Sequence, residues 1–561
     1  MMMKAMAKRP RLKPYGWSLI GLSGLWMVMV VGMTTMQGAP ATDEEIGYMS
    51  SAIRWGIGAV VALTGLVYAG HWGVKAAWTD RPTTNTEIPA PVTCGSVHES
   101  LDEPGLRVWS LELRGVGAGA NRVHQVELWD AIQRKRDNFA SIYSQNPEDY
   151  IESVQEREDA ADRGTGIAFR LAATDSVAYW PIPTFTVEPP NLNKSDDSRA
   201  AGLTSEGANS GSLGVTLFLW QEDANTTHAQ DMVERLFQFF DTHPEVPEAM
   251  IATRDGDQIR NRYRERSTPA LPSGRYLPKV LDNTAVLLVS RSDRVDRYLR
   301  PYAPDYREDN QNQRTDLGKL WAFYHAEDRN AAKVYEEAER LRGIQDPLSP
   351  GTMTSAYWQS TLPELWKNID NRGPGDFKPT PWLPVRWALH QVDEFDRAPI
   401  LGHLHRPVKV TLRDEQGQLL KPALQVIAMK AGWEQALATL PEGEKPMRVF
   451  YDSTGNMDSA IALTNALHEL NIDGHGLELG NVDEGYDIGR RLGDTGLGSA
   501  LVQIGLGAIA SYKDGGASAV MYAGDNGSIS LQMVRPPSAE EKLHNRPYSE
   551  ADPFMYRARA R

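Results

Sequence analysis

The stretch RRLGDTGLGSALVQIGLGAIASYKDGG, residues 490–516, decides how the C-terminal half of this chain is read. Gly493 and Gly498 have the glycine spacing of a P-loop, and the run from Gly505 through Gly507 to Ala510 has the outline of a dinucleotide fingerprint. A P-loop needs a lysine and then a serine or threonine directly after its last glycine. The lysine neutralises the phosphates that the loop's amides wrap, and the hydroxyl meets magnesium. Here Ser499 and Ala500 follow Gly498, and Lys513 comes far too late. The dinucleotide reading fails on context. The apolar run passes straight through Gly505 and Gly507, and the turn from Lys513 to Gly516 follows too closely for a crossover helix. The glycines are therefore read as structural, for tight turns or the close packing of backbones. No cofactor is expected.

The chain's 561 residues suffice for more than one core, and 41% hydrophobic with 24% charged residues suits a folded protein. The single cysteine, Cys94, excludes an intrachain disulfide and an all-cysteine metal site. The formal net charge is −14. Residues 1–95 carry eight cations against five anions, so the remainder carries −17. Such an acidic body repels phosphate backbones, and no nucleic acid partner is expected.

Residues 17–36 and 55–74 are two stretches of 20 residues without Asp, Glu, Lys or Arg. At about 1.5 Å per residue each would span about 30 Å, a bilayer's hydrocarbon thickness. Trp17, Trp55 and Trp72 lie near the ends, where amphipathic rings favour the interface. Five Lys/Arg precede the first stretch, Asp43, Glu44 and Glu45 lie between the two, and Lys75 and Arg81 follow. The positive-inside rule then places the N-terminus and everything after residue 75 in the cytoplasm. The first stretch is too long for a signal-peptide core and has no clear cleavage site. The expectation is a transmembrane hairpin over 1–78, in a multi-pass membrane protein.

Residues 79–105 are rich in Pro, Thr and Ser and read as a linker. An alternating strand pattern begins at Leu106, followed by a helix over 127–143. Strands are predicted at 214–220, 249–253 and 284–290, with an amphipathic helix after the first of them. The polar run 189–212 reads as a mobile surface loop. A polar segment at 301–317 separates this from helices at 318–343 and 381–397 and strands at 406–412 and 447–452. Asp458 suits the N-cap of the next helix, and the segments around Asn526-Gly527 suit a hairpin. The fold class expected is α/β or α+β: two mixed domains, 106–300 and 318–561, without an internal repeat.

Two places suggest chemistry. At YDSTGNMDSA, 451–460, a strand ends at Asp452 and a glycine loop leads into a helix. Ligands of α/β folds sit at such strand ends, and Ser453 and Thr454 suit an anion, although helix capping accounts for the same residues. The run LHQVDEFDRAPILGHLHRPV holds His390, Asp393, Asp396, His403 and His405, but their spacing matches no zinc motif. No metal and no catalytic residue is assigned. No nucleophile elbow, H-E-x-x-H, kinase set or EF-hand loop occurs.

Four segments carry a resemblance: GVTLFLWQED, LGHLHRPVKV, LGDTGLGSALVQIGLGAIASYKDGG and YAGDNGSISLQMV. With the N-terminal pair of apolar stretches, they resemble the type VI secretion lipase adapter family of Gram-negative bacteria. The resemblance implies a non-enzymatic protein that binds a lipase-type toxin effector in the cytoplasm and hands it to the spike protein VgrG, and it makes the membrane of the hairpin a bacterial inner membrane. It brings no catalytic motif. Two alternatives stand beside a membrane-anchored adapter. One is a hydrolase acting on a phosphate-bearing or lipid substrate near 452–454, and the other a structural scaffold of an envelope complex.

Overall fold

The first alternating segment becomes strand β1, Ser110–Ala120, because its residues from Leu113 to Ala120 are buried on both faces. Gly115 and Gly117 explain how a helix reaches it. A Cβ on either would lie under 2 Å from a carbonyl oxygen, that of Ala172 or Ala168, in the helix behind. The computed structural model describes residues 107–192, 199–221, 229–305, 312–343, 351–472, 476–524, 527–545 and 552–555. All belong to the compact unit Leu101–Arg561.

After β1 come β2 (Val123–His124), α1 (Gln125–Arg134), α2 (Val154–Ala173), β3 (Pro181–Val187), α3 (Arg199–Ser210), β4 (Leu217–Trp220), α4 (Ala229–Thr242), β5 (Glu248–Asp255), α5 (Asp257–Arg262) and β6 (Asn283–Ser290). After short helical turns over 292–302, three longer helices follow: α6 (Asp316–Leu341), α7 (Ser355–Trp366) and α8 (Leu389–Arg397). The chain then runs through β7 (Gly402–His405), β8 (Val408–Thr411), α9 (Pro422–Leu437), β9 (Pro446–Tyr451), α10 (Met457–Ile472) and β10 (Gly485–Asp487). It closes with α11 (Ile488–Arg491), α12 (Ser499–Asp514), β11 (Ala517–Ala523), β12 (Ser528–Arg535) and α13 (Ala539–Asn545).

The strands form one mixed sheet in the order β10-β9-β11-β12-β7-β1-β6-β5-β3-β4, with β2 on β1 and β8 on β12. The order contains one plan twice. In β1-β6-β5-β3-β4 the first two pairings are antiparallel and the last two parallel. In β7-β12-β11-β9-β10 the same directions recur. Helices α2 and α9 link the first strand of each plan to the second, α3 and α10 the second to the third, and α4 and α12 the third to the fourth. The plans join where β1 and β7 pair antiparallel, from Ser110 opposite His405 to Leu113 opposite Gly402. The repeat lies in the topology, and the sequence carries no matching period.

The run that opened the sequence analysis is the buried helix of the second plan. Every residue of α12 from Ala500 to Ser511 is buried, as expected of a helix that is apolar all round. Gly505 lies against Ala118 of β1, 3.0 Å from where its Cβ would stand, and Gly507 faces Val520 and Ser518 of β11. The glycines serve close packing, as expected; the run itself is a helix.

Other expectations need correction. The loop expected over 189–212 contains α3. Asp458 lies in the first turn of α10 rather than before it. Strand β3 is absent from the sequence reading because Pro181 and Pro183 argue against an inner strand. The transmembrane hairpin, with spans at 17–36 and 55–74, lies outside the described residues. Among the described residues no helix is long and apolar enough to cross a membrane. The multi-pass inner-membrane expectation is corrected on that finding.

Candidate functional site

The loop that mimics a P-loop spends its amides within the protein. Leu497 N–H donates to Asp255 Oδ2 at 2.7 Å, so a carboxylate of this chain takes a backbone N–H of the kind a P-loop turns to phosphate. Arg260 holds the same carboxylate from its other side, at 2.7 and 2.8 Å. Gly496 permits this approach: its φ is +53°, and a Cβ there would lie 2.1 Å from Asp255 Oδ2. Asn283 Nδ2 donates to the Thr495 carbonyl at 3.0 Å, so the start of α12 is fastened to the ends of β5 and β6.

At the second candidate, Asp452, Ser453 and Thr454 follow the end of β9, beside Asp487 at the end of β10. Asp452 accepts from Ser499 Oγ at 2.6 Å and from the Thr454 N–H at 2.8 Å. Ser453 Oγ donates to Asp487 Oδ2 at 2.6 Å, and Asp487 also caps α11 by accepting from Arg490 N–H. Burial raises the Asp452 pKa above the ordinary carboxylate value, Ser499 and Thr454 oppose the rise, and Asp487 adds to it. The arrangement is a paired carboxylate–hydroxyl cluster that ties β9 to the N-terminus of α12.

The histidines go separate ways. His403 lies 3.2 Å from Glu541 of α13. His405 is buried, with Nδ1 2.8 Å from the Thr439 carbonyl and Nε2 without a partner. His390 stands on α8. Among the described residues no group of three His, Cys, Asp or Glu side chains is placed to hold a metal.

One feature the sequence reading missed is a groove of about 780 Å³ between α4, β8 and the end of α9. Its floor is the polar face of α4, with Asp231, Glu234, Arg235 and Gln238. Arg406, 4% exposed, is fixed beneath by Asp241 at 2.7 Å and by the Val108 carbonyl at 2.9 Å. At the rim stands Trp109, 53% exposed, with the Arg107 guanidinium 4.7 Å from its ring centre. The lining holds four cations, Arg107, Arg235, Arg406 and Lys409, against Asp231 and Glu234. With Asp241 beneath Arg406 counted, one positive charge remains in excess, a local reversal of sign in a body of net −17. The sequence reading placed these residues in separate elements, the strand from Leu106, the helix after 214–220 and the strand 406–412, without bringing them together.

Comparison with known proteins places these features in a class. Residues 109–273 match the N-terminal model of the type VI lipase adapter protein Tla3, and residues 401–536 match its C-terminal model. Together the two matches cover more than half of the chain and fall one on each plan of the sheet. The chain belongs to the type VI lipase adapter family, and membership implies binding of a lipase effector. Among solved structures, the ishigamide ketosynthase/chain length factor is 10% identical over 77% of this chain and 100% of its own, with a TM-score of 0.37. The ketosynthase from module 1 of the bacillaene synthase of Bacillus amyloliquefaciens is 10% identical over 78% of each chain, also at 0.37. Likeness at that level carries no argument about this chain.

Proposed function

We propose that this chain is a non-enzymatic adapter whose groove between α4, β8 and α9 receives a lipase effector, which it then passes to the spike protein VgrG. The family match over both plans carries the reading. The groove adds a place for it. Tryptophan and arginine are the residue types that most often dominate binding energy, and Trp109 and Arg107 stand together at its rim. The cations of the lining suit an acidic patch on the effector.

The test is binding of the cognate lipase to the full chain, to Trp109→Ala and to Arg107→Glu. Each substitution is expected to weaken the complex tenfold or more, about 1.4 kcal/mol, while leaving the thermal midpoint within a degree or two. Unchanged affinity in both variants would move docking off the groove. Failure of the unaltered chain to bind the lipase would sink the adapter reading itself. Hand-over requires a ternary complex with VgrG, or displacement of the lipase by it. The alternative hydrolase reading draws on the Asp452–Ser499 and Ser453–Asp487 pairs. Turnover of a phosphate or lipid ester that Asp452→Ala abolishes would establish it.

A further inference from the structure

A second cavity, of about 60 Å³, opens where the ends of β1, β5 and β6 meet α2 and α5. It has room for roughly four waters or one small polar group. Its walls are unusual in what they leave unbonded. Gln258, 2% exposed, donates through Nε2 to the Tyr276 hydroxyl at 2.9 Å, yet its Oε1 has no partner. His124 Nδ1 is also buried without a partner. Asp282 accepts one hydrogen bond, from the Gln258 N–H at 3.0 Å, and its other carboxylate oxygen takes none among the described residues.

Most of the other charges around the cavity are paired, with Arg157 the exception. Arg260 pairs with Asp255 at 2.7 Å, and Arg254 with Glu188 and Glu206. Asp257 accepts the Lys279 and Val280 N–H groups. Arg157 gives its outer nitrogens to four backbone carbonyls and stacks over Tyr276, with only Nε unbonded; its charge meets no carboxylate in an ion pair among the described residues and acts on Asp282 from a distance. Arg122 is exposed at the rim. Asp282 is left with no ion pair among the described residues, beside an amide oxygen that needs a donor.

We propose that this cavity binds a small organic cation, an alkylammonium or guanidinium group, held by the Asp282 carboxylate and Gln258 Oε1. Such a group supplies several N–H donors and one positive charge, which match the open acceptors. Its source is either a free amine or the side chain of a lysine or arginine on a polypeptide. The carboxyl's titration supports the match. Burial, with help from Asp257 and Asp255 and against the Gln258 N–H bond and the Arg157 charge, pushes the Asp282 pKa up to about 7. A bound cation favours the charged form, so binding releases a proton below that value and tightens as pH rises across it.

The test titrates methylguanidinium, n-butylammonium and the capped peptide acetyl-Gly-Arg-Gly-amide into the full chain, followed by calorimetry or NMR shifts. Saturable binding is expected for at least one probe, tighter at pH 8 than at pH 6 and at least tenfold weaker in Asp282→Asn. A peptide that binds at least tenfold more tightly than methylguanidinium identifies a polypeptide side chain; near-equal affinities identify a free amine. No saturable binding at millimolar probe, or binding indifferent to both pH and Asp282→Asn, overturns the proposal and leaves the cavity to water. Gln258→Leu, checked by circular dichroism for an intact fold, is the second variant and is expected to weaken binding as well.

Discussion

Helices α4 and α12 hold the same place in the two plans of the sheet, and they meet opposite surroundings. Helix α12 is buried on every side from Ala500 to Ser511. Trp129 of α1 donates to Asp514 at its C-terminal end, and Phe554 lies edge-on to Tyr512 at 5.3 Å. Helix α4 buries Met232, Val233, Leu236 and Phe240, but it turns Asp231, Glu234 and Gln238 towards the groove. One topology therefore yields a sealed core helix and a helix with a working surface. The difference lies in what each sequence offers at the helix's outer face, apolar in α12 and charged in α4.

The plans also differ in how a helix comes close to the sheet. In the first, glycines of β1 let the α2 backbone approach, whereas in the second Gly432 of α9 makes room for Val410 of β8, the short strand paired with β12. Backbone cannot yield as a side-chain methyl can. Gly117→Val is therefore expected to cost more than about 3 kcal/mol and to prevent folding at ordinary temperatures, whereas Gly432→Ala should cost about 1 kcal/mol. Denaturant midpoints measure both. Equal costs would mean that the two approaches are not different in kind.

The starts of the two helices give the next contrast. Asp255 satisfies the Leu497 and Gly256 N–H groups and Arg260 at the start of α12. Gln230 meets Ser530 and Ser528 at 2.8 and 3.0 Å at the start of α4. Removing the carboxylate leaves buried donors unpaired, so Asp255→Ala should cost about 2–3 kcal/mol against about 1 kcal/mol for Gln230→Ala. Thermal unfolding of both variants decides it, and a reversed order would show that the second anchor matters more.

The remaining two effects have opposite signs with pH. Burial, assisted by Arg535, holds the His405 pKa down at about 4. The unfolded chain then takes up the proton first, so this contribution is intact above about 6.5 and declines as pH falls towards 4, by about 1–3 kcal/mol. Asp282, raised to about 7, acts the other way. Its contribution is full below the ordinary carboxylate value and is lost as pH rises through 7. His405→Gln should flatten the acid side of a stability–pH profile, and Asp282→Asn should stabilise the protein at pH 8. A profile unmoved by either substitution would contradict both environments.

Much of the fold was legible. The strands at β1, β4, β5, β6 and β9 and the β11–β12 hairpin follow from alternation and turn residues. Helix α3 was hidden by its polar composition, and β3 by its prolines. At the candidate sites, sequence placed Asp452 at a strand end but gave no sign that Ser499, 47 residues later, would bond to it. Nor did it mark the groove, whose walls come from residues 107–109, 230–238 and 406–439.

By itself the sequence determined which segments are apolar on both faces, where glycine permits close approach, and that the 490–516 run lacks a nucleotide site's lysine. Those are local properties, set by side-chain volume, charge and backbone freedom within a few residues. Tertiary structure alone decided that β1 pairs with β7 across nearly 300 residues, giving one sheet from the two sides of the polar 301–317 stretch. It alone decided that Asp255 takes the Leu497 N–H, and that Asp282 and Gln258 line a common cavity. Such pairings rest on the sum of many weak contacts between distant segments, and no local pattern encodes which distant partner will supply them.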